Sequence, residues 1–258
     1  MIRISVLASS SRGNATVISS GDTHVLVDTG ISAARIRKGL QECGLAVRDL
    51  AGIFYTHDHH DHVCGLGVLA KKDTLTLYCS RYMAPDLRAL APSANFVYLE
   101  PGARLQMGDF SVTPFAVNHD ALDPMGYLFE NKGVRLGYVT DTGKITRVMP
   151  ELLAGVQGLY LESNYDPDML QNSGRPYQLI ERICGDWGHL SNEQACDFVR
   201  TLAHPGLQHV ILAHLSPECN TPQKAVTAMQ RTLDELALTQ CCLHCAPMAA
   251  RLPWVELH

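Results

Sequence analysis

Short apolar runs separated by glycine and serine set the rhythm of this chain. Residues 2–7, 16–18 and 23–27 predict three short strands joined by tight turns. From Ser32 the period lengthens, and Ala33, Ile36 and Leu40 fall on one face of a helix reaching about Cys43. Residues 51–55 are apolar and aromatic and predict a buried strand. Residues 63–70, apolar with glycines and followed by Lys71-Lys72, predict a helix with a basic end. A strand over 75–79 follows, and residues 104–117 and 126–138 carry β patterns, with Asn131-Lys132-Gly133 marking a hairpin.

The second half repeats this grammar. Strands are predicted at 158–162 and 209–213, and helices at 192–203 and 221–238, the last with Thr221 as N-cap and Pro222 at the first helical position. No linker or low-complexity tract interrupts residues 1–258, so one domain is expected. The layout predicts an α/β fold in which two β-rich halves face each other with helices outside, a four-layer αββα sandwich.

Composition narrows the class. Apolar content of 46% and charged content of 18% over 258 residues are ordinary for a soluble globular protein. No apolar run approaches a membrane span and the N-terminus lacks a signal pattern, so the expectation is a cytoplasmic protein with no membrane partner. The nine cysteines have no regular spacing and read as reduced thiols. Cys242 and Cys245 form a Cys-x-x-Cys, but no second pair completes a zinc site, and a buried strand is the simpler reading of residues 241–245. A net charge of −5 argues against a protein that coats long nucleic acid. It leaves open an enzyme that engages a few phosphates through bound metal.

Chemistry concentrates at residues 57–62, His57-Asp58-His59-His60-Asp61-His62. Three imidazoles (His57, His59, His62) and the Asp61 carboxylate exceed what one tetrahedral ion would share with solvent, and this donor set suits Zn, Mn or Fe. A pair of divalent metal ions with an activated water between them is the natural use. The plain alternative is a histidine-rich polar loop, but a predicted strand and an apolar helical start frame the motif. Further donors should lie at strand ends downstream. His119 follows the apolar segment 110–117, Asp141 follows 137–140 and precedes Thr142-Gly143, and His214 follows 210–213.

In order and context these seven residues resemble the ligand set of the metallo-β-lactamase superfamily. Other segments narrow the likeness: Ser9-Ser10-Ser11-Arg12-Gly13-Asn14, Val27-Asp28-Thr29-Gly30, Asn118-His119-Asp120-Ala121, Glu162-Ser163-Asn164-Tyr165-Asp166 and Gly188-His189-Leu190-Ser191-Asn192. Together they resemble the bacterial YycJ/WalJ-type branch, regarded as metal-dependent 5′→3′ DNA exonucleases or related phosphodiesterases. The resemblance implies that His57, His59 and His119 hold one ion, that Asp61, His62 and His214 hold the other, and that Asp141 bridges them. It also implies a metal-bridged hydroxide as nucleophile, oriented by Asp61, with DNA ends as substrate partner. His59 in place of Glu points away from the di-iron flavoprotein branch, and Asp141 in place of Cys points away from the enzymes that hydrolyse β-lactams. The serines of the first loop depart from the pattern, which has a glycine among them.

His189 stands before a predicted helix that Ser191 or Asn192 can cap, so its N-terminal amides could receive a phosphate oxygen. The resemblance assigns His189 to the substrate phosphate or the leaving oxygen and Ser191 to substrate binding; a plain capping motif with a buried histidine is the alternative. Asn14 and Asn164 are expected to line the same cleft, though either also suits a turn. Asp28 is expected to accept a hydrogen bond from a ligand imidazole. Arg12, Lys144, Arg147, Arg175 and Arg182 are candidate phosphate contacts, with surface ion pairing as the competing use. Two other activities suit this donor set, hydrolysis of a small cyclic phosphodiester or of a thioester or lactone. A non-catalytic metal-stabilised module is a third reading, disfavoured by the excess of donors over the four of a closed structural site.

Overall fold

The computed structural model describes residues 1–258. Strands β1 (Ile2–Ala8), β2 (Ala15–Ser20), β3 (Thr23–Val27), β4 (Gly52–Phe54), β5 (Thr76–Ser80) and β6 (Asn95–Leu99) belong to one sheet. Strands β7 (Leu105–Met107), β8 (Phe110–Ala116), β9 (Met125–Asn131), β10 (Val134–Val139), β11 (Gly158–Glu162), β12 (His209–Ala213) and β13 (Cys242–Cys245) form the other. The last strand, β14 (Val255–Leu257), returns to pair with β1. Each sheet has an antiparallel part and a parallel part: β3 to β6 run parallel in the first, β10 to β13 in the second. Parallel strands finish at a common edge, and in α/β sheets that edge is where sites form.

Burial on both faces explains the near-continuous apolar strands. Along β3, Val25 and Val27 point between the sheets while Leu26 points outward, as the period of two requires. Between the sheets Ile4, Val6, Tyr127, Phe129, Tyr138, Tyr160 and Ile211 share one core. The outer face of the first sheet packs under the helix Ala33–Glu42 through Ala33, Ile36 and Leu40. The outer face of the second packs under the helices Asn192–Leu202 and Pro222–Glu235 through Phe198, Val199, Met229 and Leu233. Helix, sheet, sheet and helix give the four expected layers. Thr221 caps the last of these helices, its side chain accepting from the Lys224 amide.

Local departures have physical causes. The expected helix over 63–70 is two separate turns, His60–Val63 and Leu66–Leu69. Gly65 lies between them, where an added Cβ would stand 2.3 Å from the Ile31 carbonyl oxygen, so this stretch is pressed against the chain after β3. The β pattern over 104–117 is broken at Gly108, whose φ of +50° makes the turn between β7 and β8. The hairpin expected at residues 131–133 forms around Lys132 and Gly133, both at positive φ. Residues 241–245 do supply a strand, but β13 is an edge strand and is not fully buried. Its neighbouring thiols are still desolvated, and burial pushes Cys241 and Cys245 up to about 11. Three short helices, Ala84–Leu90, Pro167–Gln171 and Tyr177–Cys184, were not anticipated. No helix is long and apolar enough to cross a membrane.

Candidate metal centre and substrate cleft

Strand ends deliver the polar side chains. After β4 the chain runs through Thr56 and His57 into the one-turn helix His60–Val63, bringing His57, His59, Asp61 and His62 together. His119 follows β8, Asp141 follows β10, Glu162 ends β11 and His214 follows β12. At three strand ends the backbone turns sharply into left-handed space, at Asp28 (φ 61°), Asp141 (φ 51°) and His214 (φ 53°). Non-glycine residues adopt this region at a cost of about 1–3 kcal/mol, which the surrounding bonds must offset.

Those bonds are dense. Ser9 Oγ accepts from the His214 amide at 2.8 Å and bonds the Tyr160 hydroxyl at 2.8 Å, so the serine loop is fixed without the expected glycine. The Gly30 amide donates to the Asn14 carbonyl at 2.7 Å, and the Asn14 amide donates to the Asp61 carbonyl at 2.9 Å. A Cβ on Gly30 would lie 1.5 Å from the Asp61 carbonyl oxygen. Gly30→Ala must therefore move the backbone of Asp61, and overpacking against backbone is expected to cost about 3 kcal/mol or more. Thermal melting should fall by on the order of 6–12 °C, with metal content reduced alongside; an unchanged Tm would refute this account of the loop clasp.

The seven expected donors converge. The ligand atoms of His57, His59 and His119 lie within 4.8 Å of one another, as do those of Asp61, His62 and His214. Asp141 stands between the two groups, its carboxylate 3.4 Å from His62 Nε2, 3.4 Å from His214 Nε2 and 3.8 Å from His119 Nε2. The far nitrogens are anchored. His62 Nδ1 faces Asp28 Oδ2 at 2.8 Å, and Asp28 also accepts from the Thr56 amide and hydroxyl. His119 Nδ1 donates to the Gly188 carbonyl at 3.0 Å, and His214 Nδ1 to Glu162 at 3.0 Å. Such anchoring sets which imidazole nitrogen is left for an ion. His57 Nε2 is buried and has no hydrogen-bond partner in the protein. An orphaned buried nitrogen aimed into a ring of imidazoles and carboxylates is what a divalent cation would satisfy. The donors fit the ions.

The charges balance within the cluster. Burial, reinforced by neighbouring imidazoles, pushes His57 well below the usual imidazole range and leaves it neutral. Burial works against charge on His62 and His214 as well, but Asp141 and the other nearby carboxylates outweigh it and hold both well above that range. Asp141 is desolvated too, yet His214, His62, His57 and His119 hold its carboxyl well below the usual range.

Glu162 is the residue that sequence reasoning left without a role. It is fully buried, and its carboxylate accepts from His189 Nδ1 at 2.6 Å, His214 Nδ1 at 3.0 Å, the Thr142 amide at 3.0 Å and the Leu190 amide at 3.2 Å. Burial would raise its carboxyl, but His189 and the hydrogen bonds keep it below the usual range. Its place at the end of a predicted strand and its place in the family-like segment Glu162-Ser163-Asn164-Tyr165-Asp166 were the signals for it.

Beside the donors lies a cavity of about 280 Å³ whose lining includes Ser11, Arg12, Asn164, Arg175, Arg182 and His189. A smaller one of about 70 Å³, lined by His59, His119, Asp120 and Gly188, shares Arg182 and His189 with it. Asn164 and His189 thus reach the expected cleft. Asn14 lines neither cavity: it is 1% exposed, and its amide group bonds Ser9, Ser10 and Asp61 and faces His62 Nε2 at 3.1 Å. Ser191 is likewise buried, and its hydroxyl caps the helix Asn192–Leu202 reciprocally with Gln194. For these two residues packing and capping account for the side chain. Arg12 and Arg175 pair with Glu218, and Arg182 with Asp120, at the cleft. Lys144 pairs with Asp186, and neither Lys144 nor Arg147 lines the cleft.

A family model for the β-lactamase superfamily domain matches residues 23–215, spanning every donor from His57 to His214. The chain belongs to that superfamily. Among superfamily proteins it is 33% identical over 237 residues to the exodeoxyribonuclease YycJ of Bacillus anthracis, covering 91% of this chain and 90% of that protein. It is 32% identical over 243 residues to the exodeoxyribonuclease WalJ of Streptococcus pneumoniae, covering 92% and 90%. The structure superposes on the metallo-β-lactamase fold protein YhfI of Bacillus subtilis with a TM-score of 0.75 at 16% identity, covering 98% of this chain and 99% of that one. The chain is accordingly a superfamily metallo-hydrolase with clustered donors for divalent metal ions.

Proposed function

We propose that this hydrolase is a dinuclear phosphodiesterase that removes nucleotides from DNA in the 5′→3′ direction. The observation that carries the reading is the junction of the donor cluster with the arginine-lined cavity: His189 lines that cavity and is bonded to the same Glu162 oxygen as the candidate ligand His214. A thioester or lactone has no need of three arginines at its mouth, whereas a polyanion does. Homology to the two exodeoxyribonucleases over nine-tenths of the chain supports the same choice.

His57, His59 and His119 would hold one ion, Asp61, His62 and His214 the other, and Asp141 would touch both. Bound there, divalent ions supply positive charge to a phosphate and acidify water at neutral pH. The remaining steps fall to the protein. Asp61, 23% exposed in its side chain, would orient the attacking water. His189 has Nδ1 committed to Glu162, leaving Nε2 for the substrate. Through that nitrogen His189 would contact a phosphate oxygen or the leaving oxygen. Arg12, Arg175 and Arg182 would exchange their carboxylate partners for phosphates of the bound strand.

The test is digestion of 3′-end-labelled duplex DNA bearing a 5′-phosphate by Mn- or Zn-loaded protein. Progressive loss from the 5′ end is expected, abolished by chelation and restored by adding back either metal. Full metal occupancy without cleavage of DNA would overturn the nuclease reading and favour a small cyclic phosphodiester or a thioester.

A further inference from the structure

Trp187 is 60% exposed, although a tryptophan normally buries most of its surface. Its backbone is held firmly. The Trp187 carbonyl accepts from the Asp120 amide at 3.1 Å, and the next residue is fixed on both sides, Gly188 donating to Gly185 at 2.9 Å and accepting from His119 Nδ1 at 3.0 Å. A Cβ on Gly188 would lie 2.1 Å from the Ile183 carbonyl oxygen, so this loop is seated directly on the helix Tyr177–Cys184. That helix supplies Arg182 and Ile183 to both cavities, and Gly188 and His189 line the smaller one. A large flat ring is thus presented to solvent by a segment locked to a candidate metal ligand, one residue from the cavity wall and two from His189. The neighbouring cavity carries Arg12 and Arg175, both paired with Glu218, and Arg182, paired with Asp120.

Trp187 itself lines neither cavity but adjoins in the chain Gly188 and His189, which do. Proteins hold single-stranded nucleic acid by pairing cationic grooves, which track the phosphates, with exposed aromatic rings, which take a base face. We infer that Trp187 is a stacking platform for the unpaired nucleobase next to the scissile phosphodiester. The inference rests on the nuclease reading and deepens it: the strand end is single-stranded where it enters the site. The ring needs no hydrogen-bond pattern, so every base is accepted, as an enzyme that degrades a strand stepwise requires. Trp187 is here a positioning residue, acting on where the phosphate lies.

The chain has two tryptophans, and Trp254 is partly buried with the Arg3 guanidinium 4.8 Å from its ring. Fluorescence can therefore isolate Trp187. Metal-loaded protein is titrated with a 5′-phosphorylated phosphorothioate oligodeoxynucleotide that resists turnover, in wild type, Trp187→Phe and Trp187→Ala. Expected is quenching in wild type that is absent in Trp187→Phe, near-wild-type affinity for Phe, and affinity about tenfold or more weaker for Ala. With cleavable oligonucleotide, Trp187→Ala should raise KM by a similar factor with a far smaller effect on kcat. An abasic residue flanking the scissile bond should weaken wild type comparably and Trp187→Ala no further. Equal abasic penalties in both proteins, or quenching that persists in Trp187→Phe, overturns the stacking role while leaving a DNA-cleaving wild type as the nuclease proposed. Quenching without cleavage supports the platform and refutes the nuclease activity. Neither quenching nor cleavage refutes both.

Discussion

Asp141→Asn is expected to lose more than about 100-fold in turnover on DNA and to bind less than half of the wild-type metal. The substitution keeps the shape of the side chain and removes its charge, so packing is not the cause. Asp141 is the one carboxylate within reach of His62, His119 and His214 together, at 3.4, 3.8 and 3.4 Å. With an amide there, one of its two heads is an NH2 group that cannot ligate an ion and repels the cation each flanking group is meant to hold. Losing a partner that merely orients a ligand typically costs 10–100-fold, and a shared ligand should exceed that range. Elemental analysis of dialysed protein, together with the DNA digestion, checks both halves. Full metal occupancy in the variant would refute the bridging role proposed for Asp141.

Glu162→Gln is expected to cost about 10–100-fold in turnover and to weaken metal binding as well. Four donors point at this carboxylate, two onto each oxygen. However the glutamine is turned, its NH2 group faces two of them, and each buried donor left without an acceptor costs about 1–3 kcal/mol. The pattern of loss is diagnostic. His189→Ala should reduce turnover with metal content intact, because His189 is proposed to touch only substrate. Glu162→Gln should reduce both, because the same oxygen steadies His214. Metal loss in the His189 variant would make that histidine a ligand; intact metal in the Glu162 variant would show that His214 needs no orienting partner.

Much of this site is visible in the chain before folding, for a physical reason. Donors that follow apolar strands, as His119, Asp141 and His214 do, are placed by the sheet itself, so a strand prediction carries the donor with it. Residues 57–62 are dense enough in imidazole to signal a metal without further context. What escaped were properties created only by tertiary contact. Glu162 reads locally as an ordinary polar strand end, and nothing nearby in sequence reveals that the residues bonded to it lie 20 to 52 positions away. Asn14 and Ser191 show the reverse: polar residues in loops beside a site look available, yet Asn14 is bonded within the turn and against Asp61 and His62, and Ser191 caps a helix. Helix 63–70 failed at Gly65 because the pressure on that position comes from Ile31, far from the local window. Layer order was legible because apolar runs on both faces of a strand demand cover on both faces.

Donors from the first sheet and donors from the second meet only where the two sheets close, and Asp61 and His214 are 153 positions apart. At about 5–20 residues per second of synthesis, roughly 8–30 seconds separate the emergence of these two side chains. Throughout that interval His57, His59, Asp61 and His62 stand without the donors of the second sheet. A divalent ion would meet its full donor set only once the second sheet has folded against the first and brought His119, Asp141 and His214 to the cluster.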